Sequence, residues 1–202
     1  MHKPFAQSCE DNKQVILEQL RELFAGVTSV LEIGSGTGQH AVYFSQHLPH
    51  LQWQPTELKA NLPGIQQWID DAALSNILLP LELDVMQQPA RPAVFDAVFT
   101  ANTLHIMSIK HVEALFAALG QWLRPGGLFC CYGPFNKNGA FSSESNANFD
   151  RWLKQRDHLS GIRDMAELRT FASQQAIRLV EDIEMPVNNR LLVWKKEPVA
   201  FN

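Results

Sequence analysis

The chain has 202 residues, enough for one domain with a sizeable core, and its 46% apolar content is ordinary for a globular protein. No apolar run is long enough to span a membrane, the start lacks a leader's apolar core, and the net charge of −4 is not the basic excess of a nucleic-acid binder. These features predict a cytoplasmic protein acting on a small molecule. Cys9, Cys130 and Cys131 are spaced for neither a disulfide framework nor zinc, so no metal is expected.

Residues 8–25 read as an amphipathic helix, with Ser8 and Asp11 as a capping pair and Ile16, Leu20, Leu23 and Phe24 on one face. Its polar start, Glu10-Asp11-Asn12-Lys13, faces either ligand or solvent. Residues 27–33 form a short apolar strand that runs into Gly34-Ser35-Gly36-Thr37-Gly38, and a helical pattern over 39–48 follows at once. Glycines at alternate positions behind a strand supply positive φ, or let a ligand approach closer than a Cβ permits. A tight turn alone would also use them. The dinucleotide fingerprint is G-x-G-x-x-G, and here the third glycine comes one residue early. Glu32, two residues before the first glycine, would repel a pyrophosphate but pair with an ammonium group.

This E-x-G-x-G-x-G stretch resembles motif I of the class I S-adenosylmethionine-dependent methyltransferases. A second strand, 51–56, ends at Pro55 and Glu57. An acid about 20 residues past the glycines can accept both hydroxyls of a ribose, which makes Glu57 the candidate; an acid near the next helix's N-terminus is the lesser reading. Pro63 starts a helix with Ile65, Trp68, Ile69 and Ala72 on one face. The third strand, 77–83, contains Pro80 and so belongs at or near a sheet edge. Asp84 follows, as a ligand for adenine or as a plain turn residue.

Residues 94–101 are a fourth strand that delivers Asn102, Thr103 and His105 to its carboxyl end, where ligands collect in open α/β sheets. Ser108 starts a helix closed by Arg124-Pro125-Gly126-Gly127, and 128–132 is a fifth strand. The long connection 133–148 reads as an ordered lid, with helical spacing restored at Phe149, Trp152 and Leu153. Asp164 and Glu167 cap another helix. Strands 177–183 and 190–194 are joined by a link too short for a crossover, so they form a hairpin, unlike the dinucleotide fold.

Further motifs, YGPF (132–135), SESN (143–146), FD (149–150), GIRD (161–164) and MPVNN (185–189), resemble a methyltransferase-like family of unknown substrate. Glu57 and Thr103 depart from it, standing where that family usually has Asp and Met. The resemblance implies an α/β, Rossmann-like, doubly wound and mostly parallel seven-stranded sheet with an antiparallel terminal strand. One domain, 1–202, is expected, with 1–26 a helix over the cofactor mouth and 133–165 a lid or substrate-side insertion. S-adenosylmethionine is the implied cofactor. Glu32 would hold its ammonium and Glu57 its ribose. Asp84 would meet its adenine, with Gly34, Ser35, Gly36, Gly38, Asn12 and Asn102 around it. The implied activity is methyl transfer to an unidentified small acceptor, with His105 the best-placed base. Tyr132, Phe135, Asn136, Glu144 and Asn146 are substrate-side candidates, with core or loop-ordering roles equally open. The alternative is a protein that binds the cofactor without turnover and acts through a protein partner.

Overall fold

The computed structural model describes residues 3–87 and 94–198. Residues 1–2, 88–93 and 199–202 of the expected domain lie outside the described residues. In chain order the elements are α1 (Gln7–Leu23), β1 (Ser29–Ile33), α2 (Gln39–His47), β2 (Gln52–Glu57), α3 (Leu62–Ala72), β3 (Leu81–Glu82), β4 (Phe95–Ala101) and α4 (Ile109–Trp122). There follow β5 (Leu123–Gly133), β6 (Phe135–Asn136), α5 (Glu144–Arg156), β7 (Arg163–Asp164), α6 (Met165–Ser173), β8 (Ile177–Met185) and β9 (Asn189–Lys196).

Seven strands form one sheet in the order β3-β2-β1-β4-β5-β9-β8. The pairs from β3 to β5 are parallel, whereas β9 is antiparallel to both β5 and β8. The reversed strand is the last in the chain, yet it lies inside the sheet. β6 and β7 make a separate two-stranded pair within the 133–165 segment. Among the described residues no helix is long and apolar enough to cross a membrane.

Strand residues alternate between two cores, as the pleat requires. Val30, Ala97, Phe99, Cys130 and Val193 pack with α1, α2 and α3 through Leu20, Phe44 and Ile65. Their neighbours Leu31, Val98, Phe129, Cys131 and Trp194 pack on the other face with Phe116 of α4 and Leu168 of α6. This burial on both faces explains why the central strands read as continuous apolar runs.

Four local expectations need correction. α1 begins at Gln7 behind Ala6, and neither Ser8 nor Asp11 caps it: Gln39 Oε1 takes the Ala6 N–H at 2.6 Å instead. The third strand shrinks to Leu81–Glu82 plus an isolated bridge at Ile77, because Pro80 interrupts the ladder. Arg124-Pro125-Gly126-Gly127 does not stand between α4 and a strand but bulges within β5, since Leu123 already pairs with Phe95. α5 starts at Glu144, five residues before Phe149, with the Ser143 hydroxyl accepting from the Asn146 N–H.

Candidate functional site

Two adjoining cavities open at the carboxyl edge of the parallel strands, of ≈ 1020 Å³ and ≈ 800 Å³, and Ser8, Asn102 and Ile106 line both.

The first is built on the turn after β1. Strands on either side fix that turn: Thr56 Oγ1 donates to Glu32 O at 2.6 Å and Thr100 Oγ1 to Ile33 O at 2.7 Å. Each glycine has its own reason. A Cβ on Gly34 (φ 69°) would sit 2.8 Å from Thr103 Cγ2, and one on Gly38 (φ 91°) 3.1 Å from Ile65 Cα. Gly36 (φ 56°) meets nothing within 4 Å, so its backbone faces open space in the cavity. Its N–H donates to Glu57 Oε2 at 2.9 Å, while Glu57 Oε1 takes the Leu58 N–H at 2.7 Å. Asp84 lies in the same lining between Leu83 and Val85, holding the Met86 N–H at 2.9 Å.

Glu32 does not line this cavity. It is 2% exposed beneath the turn, and its Oε2 takes both Ser35 Oγ at 2.8 Å and Trp53 Nε1 at 3.1 Å. Burial dominates over those two donors and pushes its carboxyl up to about 7. Across the mouth stand Pro4, Ala6 and Cys9. They are held by a polar network in which Gln39 accepts from Thr37 Oγ1 at 2.9 Å and donates to Glu10, itself paired with Lys13. Trp68 Nε1 donates to Pro4 O at 2.8 Å, tying this strap to α3.

The second cavity gathers residues scattered in sequence: Asn12 from α1, Asn102 and His105 after β4, Tyr132 of β5, Asn146, Phe149 and Trp152 of α5, and Val187 and Asn189 of the final hairpin. The segment carrying His105 is pinned carbonyl by carbonyl. Arg163 donates to Leu104 O and Met107 O, the Gly161 N–H to His105 O at 2.9 Å, and Ser160 Oγ to Ile106 O at 2.9 Å. Asn102 launches it with φ 56°, a left-handed conformation that asparagine tolerates. His105 is 7% exposed; burial, then the nearby Arg163 charge, lowers it to about 4, so its ring is neutral at pH 7. Tyr132 Oη accepts from Asn189 Nδ2 at 3.1 Å, and burial raises its pKa. Asn146 Nδ2 reaches Asn188 O at 3.1 Å, clamping the hairpin tip to α5.

Of the other substrate-side candidates, Phe135 lies in the core at 2% exposure, Glu144 is an exposed first-turn residue of α5, and Asn136 donates to Ile162 O at 3.4 Å. None of them lines either cavity. Asn12, expected near the cofactor, lines the second cavity and shares a 2.7 Å hydrogen bond with His40 Nε2. Sequence reading missed Trp152, Val187, Asn189 and the facing Val15, whereas Asp11 belongs to the polar helix start read as facing ligand or solvent. The usable signal was the arginine at 156 on the helical stripe 149, 152, 153 and 156, which a plain core stripe would not carry.

A sheet with this strand order and one reversed strand, and a glycine turn and cleft at its carboxyl edge, defines the fold of the class I methyltransferases. Residues 3–196 match the family described as "Protein of unknown function (DUF938)", and the chain belongs to that family. A malonyl-[acyl-carrier protein] O-methyltransferase of Xylella fastidiosa is 30% identical over 125 residues, covering 60% of this chain and 41% of that protein. An O-methyltransferase family protein from Burkholderia thailandensis superposes with a TM-score of 0.80 at 13% identity, over 93% of this chain and 57% of that one. The S-adenosylmethionine-dependent methyltransferase SibL, in its apo form, gives 0.79 at 20% identity, over 94% and 55%. The chain thus spans about half the length of these relatives, and the structural likeness is one of fold.

Proposed function

We propose that the chain is an S-adenosylmethionine-dependent methyltransferase acting on a small-molecule acceptor. The observation that carries this is the meeting of two cavities at Asn102, one floored by the glycine turn and one by His105 and Tyr132. The first fits the cofactor chemically. Gly36 leaves room for close backbone approach, Glu57 keeps lone pairs for ribose hydroxyls, and Leu58, Leu83 and Val85 flank Asp84 as apolar surface for a planar base. Glu32, buried beneath the turn, holds Ser35 Oγ and Trp53 Nε1 and so sets the shape of the cavity floor instead of meeting the ligand itself.

When bound, the cofactor supplies a methyl carbon made electrophilic by its sulfonium. The chain's own residues bind, orient and exclude water. The neutral His105 ring can accept a hydrogen bond from an acceptor hydroxyl, and the Tyr132 hydroxyl can donate one to that oxygen. The second cavity supports turnover over cofactor binding alone.

Calorimetric titration with S-adenosylmethionine tests the reading. Wild type is expected to bind at micromolar concentration, while Gly36→Val and Glu57→Ala bind at least about tenfold more weakly through lost space and lost ribose contacts. Absence of binding to wild type would overturn it.

A further inference from the structure

The second cavity has two unlike walls. On α5, Phe149, Trp152, Leu153 and Arg156 recur at helical spacing and line it. Phe149 and Trp152 stack with centroids 5.7 Å apart and planes at 18°, His105 meets Phe149 edge-on at 5.3 Å, and the Arg156 guanidinium lies 4.6 Å from the Trp152 centroid. Trp152 nevertheless stays 47% exposed, and Ile106 and Val187 at the same mouth are 60% and 82% exposed. Apolar surface concentrated at one cavity mouth marks a binding site. α1 supplies the facing wall with Ser8, Asp11, Asn12 and Val15.

The floor is polar and uncharged. His105 is neutral at pH 7, Tyr132 keeps its proton, and Asn12, Asn102, Asn146 and Asn189 contribute amides. Among the described lining residues the full charges, Asp11, Arg156 and Asp157, are exposed at the rim. Arg163, whose charge acts on His105, donates to the carbonyls of Leu104, Met107 and Leu159. An anion on this floor would lose its hydration with no free cation in exchange.

We infer that the acceptor, in the methyltransferase reading on which this rests, is a neutral planar aromatic molecule carrying a hydroxyl. Its ring lies along the Phe149–Trp152 face, and its hydroxyl edge meets His105 and Tyr132. A volume of ≈ 800 Å³ suits a ligand of that kind. Trp152 is the specificity-determining residue.

The test uses the full chain without cofactor and three probes of similar size: 2-naphthol, its anionic analogue 2-naphthoate, and the saturated alcohol 2-decalol. Titrations followed by ligand-observed NMR are expected to rank 2-naphthol first, with the other two about tenfold weaker or more. Trp152→Leu should weaken 2-naphthol by about tenfold, and Trp152→Phe should restore most of the affinity. Because Trp152 is half exposed, both variants should fold, which circular dichroism checks. Equal binding of naphthoate or decalol, indifference to Trp152→Leu, or no binding of 2-naphthol overturns the proposal. Calorimetry with S-adenosylmethionine on the same samples reports separately on the methyltransferase reading.

Discussion

Glu32 is an ionisable group sealed from solvent beneath the turn. Its folded-state value of about 7 lies above the ordinary 4.5, so its contribution is fully present below pH 4.5 and is lost as pH rises through 7. Glu32→Gln, which keeps an acceptor for Ser35 and Trp53, is expected to stabilise the chain at pH 8 by on the order of 3 kcal/mol and to leave it unchanged near pH 4.5. Urea unfolding at the two pH values measures this; a variant less stable at pH 8 would contradict it. Val187 is strained in its backbone, a β-branched side chain at φ 58° in the tip between β8 and β9. Val187→Gly should raise stability by about 1 kcal/mol by removing that conflict, and weaken 2-naphthol by removing apolar surface at the mouth.

At the scale of elements, the weakest join is between β2 and β3, where Pro55 and Pro80 withhold their ladder donors. Gln54 substitutes a side-chain amide, its Nε2 donating to Pro55 O at 3.0 Å and to Leu79 O at 2.8 Å. Gln54→Leu strands both carbonyls and should cost about 1–3 kcal/mol. Since Glu57 ends β2 and Asp84 follows β3, it should also weaken the cofactor, which calorimetry on the folded variant would show. The same region marks where sequence was least legible. Helices α3, α4 and α6 could be read from Pro63, Ser108 and Asp164, because a cap or a helix-starting proline is a local signal. The hairpin was legible from loop length alone. β3 was not, because what pairs across its prolines is a side chain on another strand. Nor was the start of α5, where Ser143 caps a helix inside a segment whose composition reads as loop. The first cavity is built on a local glycine spacing and was therefore visible in outline. The second draws on segments spread from α1 to the final hairpin, and its aromatic stripe looks like core until Trp152 is seen half exposed.

For the molecule as a whole, acid is the expected weakness. Burial holds both His40 and His105 near 4, below the ordinary 6.5, so the unfolded chain takes up protons first. The stability they contribute is present above pH 6.5 and is lost as pH falls toward 4, while Glu32 pulls the other way over an overlapping range. Thermal midpoints should drop between pH 7 and pH 5, and more steeply in Glu32→Gln, where nothing opposes the histidines; a midpoint that rises on acidification would refute this. His40 also touches a larger consequence. Through Asn12 it fastens α2 to the helix whose Ser8 lies in the partition between the two cavities, while that helix's Cys9 faces one cavity and its Val15 the other. One displacement of that helix would therefore reshape the linings of both cavities together.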